Sequence, residues 1–338
     1  MIGNNDDFAI RISDLAVGHK NQRGEVAFLR KSINFSACAG ETVALIGPNG
    51  IGKSTLLQTL AGFRKSWNGT IVLNGRPTAS FSQRERATTL CFVSTENVNV
   101  PNMHVAGLVA LGRFPYTNWL GRLRENDKAQ VYDALEKVGM AKFATRMVNQ
   151  LSDGERQRVL IARALTQDTP FIILDEPTAF LDVRNKYEIF HLLHDLAHSQ
   201  NKTIILSTHD LNIALREMDK LWILLEDESL EGAPEDAVLH GWIDRLFMSP
   251  HIAFDINDGD FYFRKQHAGT VTVTGEGPAY AWTIRALERK GFFFTTNPDA
   301  DFKITIEPAA EKGAYCWTME GAGKILKADS VYGLFSGK

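Results

Sequence analysis

No apolar run in this chain is long enough to cross a membrane as a helix. The longest, FIIL at 171–174 and LWILL at 221–225, have strand length, whereas a membrane helix needs about 20 residues. Cysteine is scarce as well. Cys38, Cys91 and Cys316 stand far apart with no ligand-like spacing. That excludes a disulfide framework and fits buried free thiols of a reducing, cytosolic compartment. A surplus of one charge is also missing. With 37 Lys and Arg against 40 Asp and Glu, the net charge is −3, so bulk charge gives no case for a nucleic-acid partner. The opening MIGNNDDFAI is acidic and polar and does not read as a signal peptide. No internal repeat or low-complexity segment is visible.

What is present is a chain of 338 residues, 44% hydrophobic. That is long enough for two domains and apolar enough for a real core. From residue 8 to about 230 the pattern alternates strand and helix. TVALIG (42–47), FIILDEP (171–177) and TIILSTHD (203–210) are continuous apolar runs ending in polar residues. Such runs fit parallel strands covered on both faces. TIVLNG (70–75) and LCFVS (90–94) predict further strands, KSTLLQTLAG (53–62) a helix, and 103–148 a mostly helical insertion. A short helix is expected at 237–247. A hairpin at 252–264 turns on Asn257-Asp258-Gly259. Beyond it the pattern predicts strand 270–275, helix 278–291, strands 302–308 and 314–321, and a final helix near 329–336.

GPNGIGKST (47–55) follows a strand and opens a helix. It is a complete phosphate-binding loop. Gly47, Pro48, Asn49, Gly50 and Gly52 let backbone N–H groups cradle phosphates at a helix N-terminus. Lys53 can reach the β- and γ-phosphates of a nucleotide, Ser54 can ligate Mg²⁺, and Thr55 is a further candidate for binding the cofactor. At the end of FIIL, Asp175 can hold the metal through water, and Glu176 can orient and polarise the attacking water. Taken alone, the acid pair could instead cap the next helix, but the phosphate loop upstream favours hydrolysis. His209, ending the following strand, can contact the γ-phosphate; a strand-end histidine by itself is more often structural, and its position one strand after the acid pair is what favours the functional reading.

LSDGERQR (151–158) opens another helix, with Ser152 or Asp153 as cap and Glu155 in the first turn. Gly154 weakens that turn, which suggests a close approach to its backbone. This is a second anion site, yet the chain's own nucleotide is already cradled at 47–55. A second copy of the chain, packed head-to-tail, would use it.

In these four motifs and their order the sequence resembles the ATP-binding-cassette (ABC) ATPases over about 8–247. The resemblance implies an α/β fold: a P-loop NTPase cassette with a RecA-like core, an antiparallel β subdomain and a helical subdomain at about 100–168. The cassette would occupy 1–250, and a small C-terminal α+β accessory domain 251–338. It also implies an ATP-sandwich homodimer in which Ser152, Gly154 and Glu155 act in trans and Asp182 sits at the interface. Thr95 takes the position of the metal-contacting glutamine, and His19 that of the adenine-stacking aromatic. The signature departs from LSGGQ at Asp153 and Glu155.

VALGRFPYTNWLGRLRENDKAQVYDALEKVGM (109–140) resembles the helical segment of ATPases for ferric-siderophore, haem and cobalamin importers. This implies a peripheral subunit on the cytoplasmic face of the membrane. Its partners would be integral permease subunits and, indirectly, a periplasmic or surface substrate-binding protein. Competing readings are a soluble ABC ATPase or a nucleotide-dependent regulator without a permease.

Overall fold

In a computed structural model of the chain, residues 8–20, 26–94, 102–118, 121–179, 181–247, 249–256, 259–266, 268–297, 299–309, 314–321 and 323–336 are described. The chain forms two compact units, Met1–Met248 with Phe254–Asp260, and Ser249–Ala253 with Phe261–Lys338.

The first unit opens on two long antiparallel strands, β1 (Phe8–Lys20) and β2 (Val26–Cys38). The strand–helix alternation expected from residue 8 therefore begins only at residue 42. The reason is the connection: residues 21–25 are too few for the dozen or so that a crossover between parallel strands requires. Strand β3 (Thr42–Ile46) and helix α1 (Lys53–Leu60) follow, then β4 (Asn68–Leu73), β5 (Arg76–Pro77), α2 (Gln83–Thr89) and β6 (Leu90–Val93). Strands β4 and β5 complete an antiparallel sheet in the order β2-β1-β4-β5.

The insertion consists of α3 (Val105–Ala110), α4 (Glu125–Lys137) and α5 (Asp153–Gln167), joined by 3₁₀ turns at 111–116, 141–143 and 148–150. It is closed by a buried ion pair, Arg113 Nε to Asp127 Oδ1 at 2.9 Å, while Arg113 also donates to the Thr166 carbonyl. Gly112 permits this packing, since a Cβ there would lie 2.2 Å from the Thr166 hydroxyl.

The chain then runs through β7 (Phe171–Leu174), α6 (Val183–Gln200), β8 (Thr203–Ser207), α7 (Leu211–Glu217), β9 (Lys220–Leu224), β10 (Ser229–Gly232), α8 (Pro234–Leu239) and α9 (Trp242–Leu246). Together with β3 and β6 these strands form a sheet ordered β10-β9-β3-β8-β7-β6, parallel except for β10.

Strands β3, β7 and β8 are buried along their whole length. Their side chains alternate between two cores, as the period of 2 requires. Ala44, Ile46, Ile172, Leu174, Ile204 and Leu206 pack with the helical insertion, α6 and α7. Val43, Leu45, Phe171, Ile173 and Ile205 pack with α1 and the antiparallel sheet. In that second core the Phe35 and Trp222 rings stack 4.9 Å apart, joining β2 to β9.

A two-stranded sheet pairs β11 (Ile252–Asp255) with β12 (Asp260–Phe263). Of the expected turn residues, Asn257 and Asp258 lie outside the described residues, and Gly259 has φ +70°. The second unit then builds β13 (Gly269–Thr274), α10 (Gly277–Lys290), β14 (Phe292–Phe294), β15 (Phe302–Pro308), β16 (Tyr315–Gly321), β17 (Lys324–Ala328) and α11 (Val331–Ser336). Its sheet order is β14-β13-β15-β16-β17. Val271, Ile304, Ile306 and Trp317 form a separate core with Leu287 of α10 and Leu334 of α11. The edge strands β14 and β17 had no counterpart in the sequence reading. Both are short, and FFF carries no alternation to read.

Candidate active site

Strand β3 feeds the glycine-rich loop and α1 leads away from it. Gly52, the residue capping α1, has φ +110°, which a side chain would oppose. A Cβ on Gly47 would lie 2.6 Å from the Leu224 carbonyl oxygen, so the loop reaches β9 only as glycine. No side chain caps α1. Its first N–H groups are therefore left for an anion, with Ser54 exposed beside them and Thr55 half-buried. Lys53 is 6% exposed, and its ammonium donates to the carbonyls of Gly47 (2.7 Å) and Pro48 (3.1 Å). Burial lowers its pKa, opposed by the carboxylates of Glu176 and Asp175.

The two acids end β7, one strand removed from β3. Asp175 is buried, and its N–H donates to the Val93 carbonyl at 2.8 Å. Glu176 sits at φ +46°, a left-handed conformation costing a non-glycine residue on the order of 1 kcal/mol. Ser207, at the end of β8, ties both down. Its hydroxyl donates to Asp175 Oδ1 at 2.6 Å and accepts from the Glu176 N–H at 2.9 Å. His209 Nε2 lies 2.7 Å from Glu176 Oε1. An ionised carboxylate can only accept, so Nε2 is the donor. A cavity of about 250 Å³ is lined by Gly47, Pro48 and Asn49 of the loop together with Thr208 and His209. The loop, the lysine, the acid pair and the histidine are thus brought together.

Among the described residues no three His, Cys, Asp or Glu side chains converge as a metal site. The oxygen donors available, the Ser54 hydroxyl and the Asp175 carboxylate, suit a hard cation that takes its other ligands from phosphates and water, as Mg²⁺ does. Thr95 lies outside the described residues.

The remaining candidates stand elsewhere. Of the two possible caps for α5, Ser152 serves, in a reciprocal box with Glu155. Glu155 N donates to Ser152 Oγ (3.3 Å), and Glu155 Oε2 accepts from Ser152 N (2.8 Å) and Oγ (3.1 Å). The bond from the Ser152 N–H, helped by its hydroxyl and by Arg146 and Lys142, holds the Glu155 carboxyl below its ordinary pKa. Gly154 lies in the first turn of the helix. Asp182 caps α6 by accepting from Asn185 N at 2.8 Å. None of these lines the loop cavity. His19 is exposed and pairs with Ala27 across the β1–β2 ladder. Two positions further along β2, Leu29 approaches the Cβ position of Gly52 at 3.5 Å.

The sequence reading passed over Ser207, although it stands two residues before His209 in the same STHD. Its signal was a hydroxyl at the buried end of an apolar strand. Leu29 gave no signal, because its approach to Gly52 depends on where strand β2 packs.

The "ABC transporter" family model matches residues 30–179, and the "Iron ABC transporter C-terminal domain" model matches 268–337. The chain is 38% identical over 208 residues to the petrobactin import ATP-binding protein FpuD of Bacillus anthracis, covering 61% of this chain and 76% of that protein. It is 40% identical over 186 residues to the iron(3+)-hydroxamate import ATP-binding protein FhuC of Bacillus subtilis, covering 55% and 69% respectively. Among solved structures, it is similar to a dimeric ATP-binding cassette in a post-hydrolysis state bound to ADP and Pi. That match has TM-score 0.60 and 27% identity, over 67% of this chain and 98% of the other.

Proposed function

Because this chain belongs to the ABC transporter ATP-binding proteins, we propose that it is the ATP-hydrolysing subunit of an importer for a metal chelate of the siderophore class. The observation that carries the chemistry is the 2.7 Å contact of His209 with Glu176, beside a complete phosphate loop. The transport reading is supported by the relatives, which are import ATP-binding proteins for petrobactin and iron(3+)-hydroxamate.

In this reading the α1 N–H groups and Lys53 bind the β- and γ-phosphates, the lysine exchanging the loop carbonyls for phosphate oxygens. Ser54 and Asp175 would hold Mg²⁺, with Thr95 as a further candidate ligand, and the cation would supply charge neutralisation on the phosphates. Glu176 orients the attacking water and accepts its proton. His209 holds that carboxylate in place and faces the γ-phosphate. The adenine rests against His19.

Two copies associate head-to-tail, each presenting Ser152, Gly154 and Glu155 to the other's γ-phosphate, with Asp182 at the interface. This is supported by the dimeric form of the similar cassette. The subunit works at the cytoplasmic face of the membrane beside a separate permease, fed by a substrate-binding protein. Among the described residues no helix of its own is long and apolar enough to cross a membrane. Residues 266–338 serve as a regulatory or dimerisation module.

The test is Glu176→Gln. Turnover should fall by at least about 10²-fold, while ATP should trap a dimer visible in gel filtration. Turnover at the parent rate would overturn the assignment.

A further inference from the structure

The two acids that set this chain's signature apart each stand against an arginine. Asp153 Oδ1 lies 3.2 Å from Arg156 Nη1, and Glu155 Oε1 lies 3.7 Å from Arg146 Nη1. The two oxygens of Glu155 are thereby divided. Oε2 sits on the Ser152 N–H and hydroxyl, and Oε1 faces Arg146. Arg146 comes from outside the helix. Its carbonyl accepts from Val105 N at the start of α3, and its own N–H donates to the Phe143 carbonyl, both at 2.9 Å. Its guanidinium lies 5.4 Å from the centre of the Phe143 ring, and the Lys142 ammonium lies 5.1 Å from the same ring. One aromatic ring thus gathers two cations beside the first turn of α5.

A helix N-terminus attracts a phosphate through its free N–H groups. Carboxylates in the same turn work against this, by repelling the anion and by occupying the donors. Resting on the reading of α5 as the site for a second copy's γ-phosphate, we infer that Arg146, seconded by Arg156, is a positioning residue. It cancels the charge of the signature acids, so that a triphosphate can approach. Its side chain is 40% exposed and that of Glu155 is 29% exposed, so both are within reach of an incoming chain.

The experiment places Arg146→Met and Arg146→Lys in the Glu176→Gln chain and follows ATP-driven self-association by light scattering. It also measures KM and kcat for the same changes in the otherwise native chain. Arg146→Met should raise the ATP concentration for half-association, and KM, by about fivefold, the upper range for a partly exposed ion pair; kcat should change less. Arg146→Lys should recover most of the loss. With Glu155→Gln already present, Arg146→Met should cost nothing further. An equal loss with and without Glu155→Gln, or no loss at all, would overturn the inference while leaving the dimer reading intact. Failure of the Glu176→Gln parent to associate with ATP would overturn that reading, and this inference with it.

Discussion

Ser207 shows how much chemistry one buried hydroxyl can organise. It accepts from the N–H of Glu176 and donates to Asp175, so it pins a glutamate whose backbone is left-handed. Ser207→Ala leaves that N–H without its partner, at a cost of about 1–3 kcal/mol. The expected result is a loss in kcat larger than any change in KM for ATP, measured by steady-state hydrolysis. At the N-cap of α5, Ser152→Arg should leave ATP binding at Lys53 intact yet prevent ATP-driven dimerisation. Nucleotide binding and gel filtration on the same sample would check this.

His198 carries a pH signature. Its Nδ1 faces the His194 carbonyl at 2.9 Å and its Nε2 faces Asp219 Oδ1 at 3.2 Å. Both partners are acceptors, so only the imidazolium satisfies both. The groups facing it are His194 and Asp195 on α6 and Asp219 at the start of β9. The bond to the His194 carbonyl, followed by the charges of Asp219 and Asp195, raises its pKa above the ordinary 6.5. A raised folded-state value means that the stabilisation is fully present below the unfolded value and is lost as pH rises through the folded one. Thermal melts should therefore show stability falling from about pH 6.5 upward, and His198→Gln should flatten that slope. An unchanged slope would dismiss the contact.

At the scale of elements, the helical insertion is closed by charge as well as by apolar packing. The side chains of Arg113 and Asp127 are only 8% and 9% exposed. Removing one partner strands the other as a buried charge. Asp127→Ala should therefore destabilise the first unit by about 3–5 kcal/mol in denaturant unfolding. Joint replacement by Arg113→Met and Asp127→Leu should recover most of that. The sequence announced the helices of this block through their apolar period. It did not announce the pair, because Arg113 and Asp127 are 14 residues apart on different elements.

At the scale of the whole molecule, the second unit has its own core. Trp317 packs there, and its indole N–H donates to the Thr283 hydroxyl at 2.7 Å. Trp317→Ala should cost that unit about 3–5 kcal/mol. Calorimetry should show its transition moving while the transition of the first unit stays in place. A joint shift of both would mean that the two fold as one cooperative block.

Much of this protein was settled by its sequence alone. TVALIGPNGIGKST (42–55) and FIILDEP (171–177) each contain, within a few neighbouring residues, both the apolar strand that is buried and the polar groups that emerge from its end. Local order there fixes element, exposure and chemistry together. Only the tertiary structure decided the rest. It showed that Phe8–Lys20 and Val26–Cys38 pair as antiparallel strands, that Ser207 bridges the two acids, and that Arg146 faces Glu155. Each of these depends on which distant elements become neighbours, and that is set by the packing of two cores on one sheet rather than by any local run of residues.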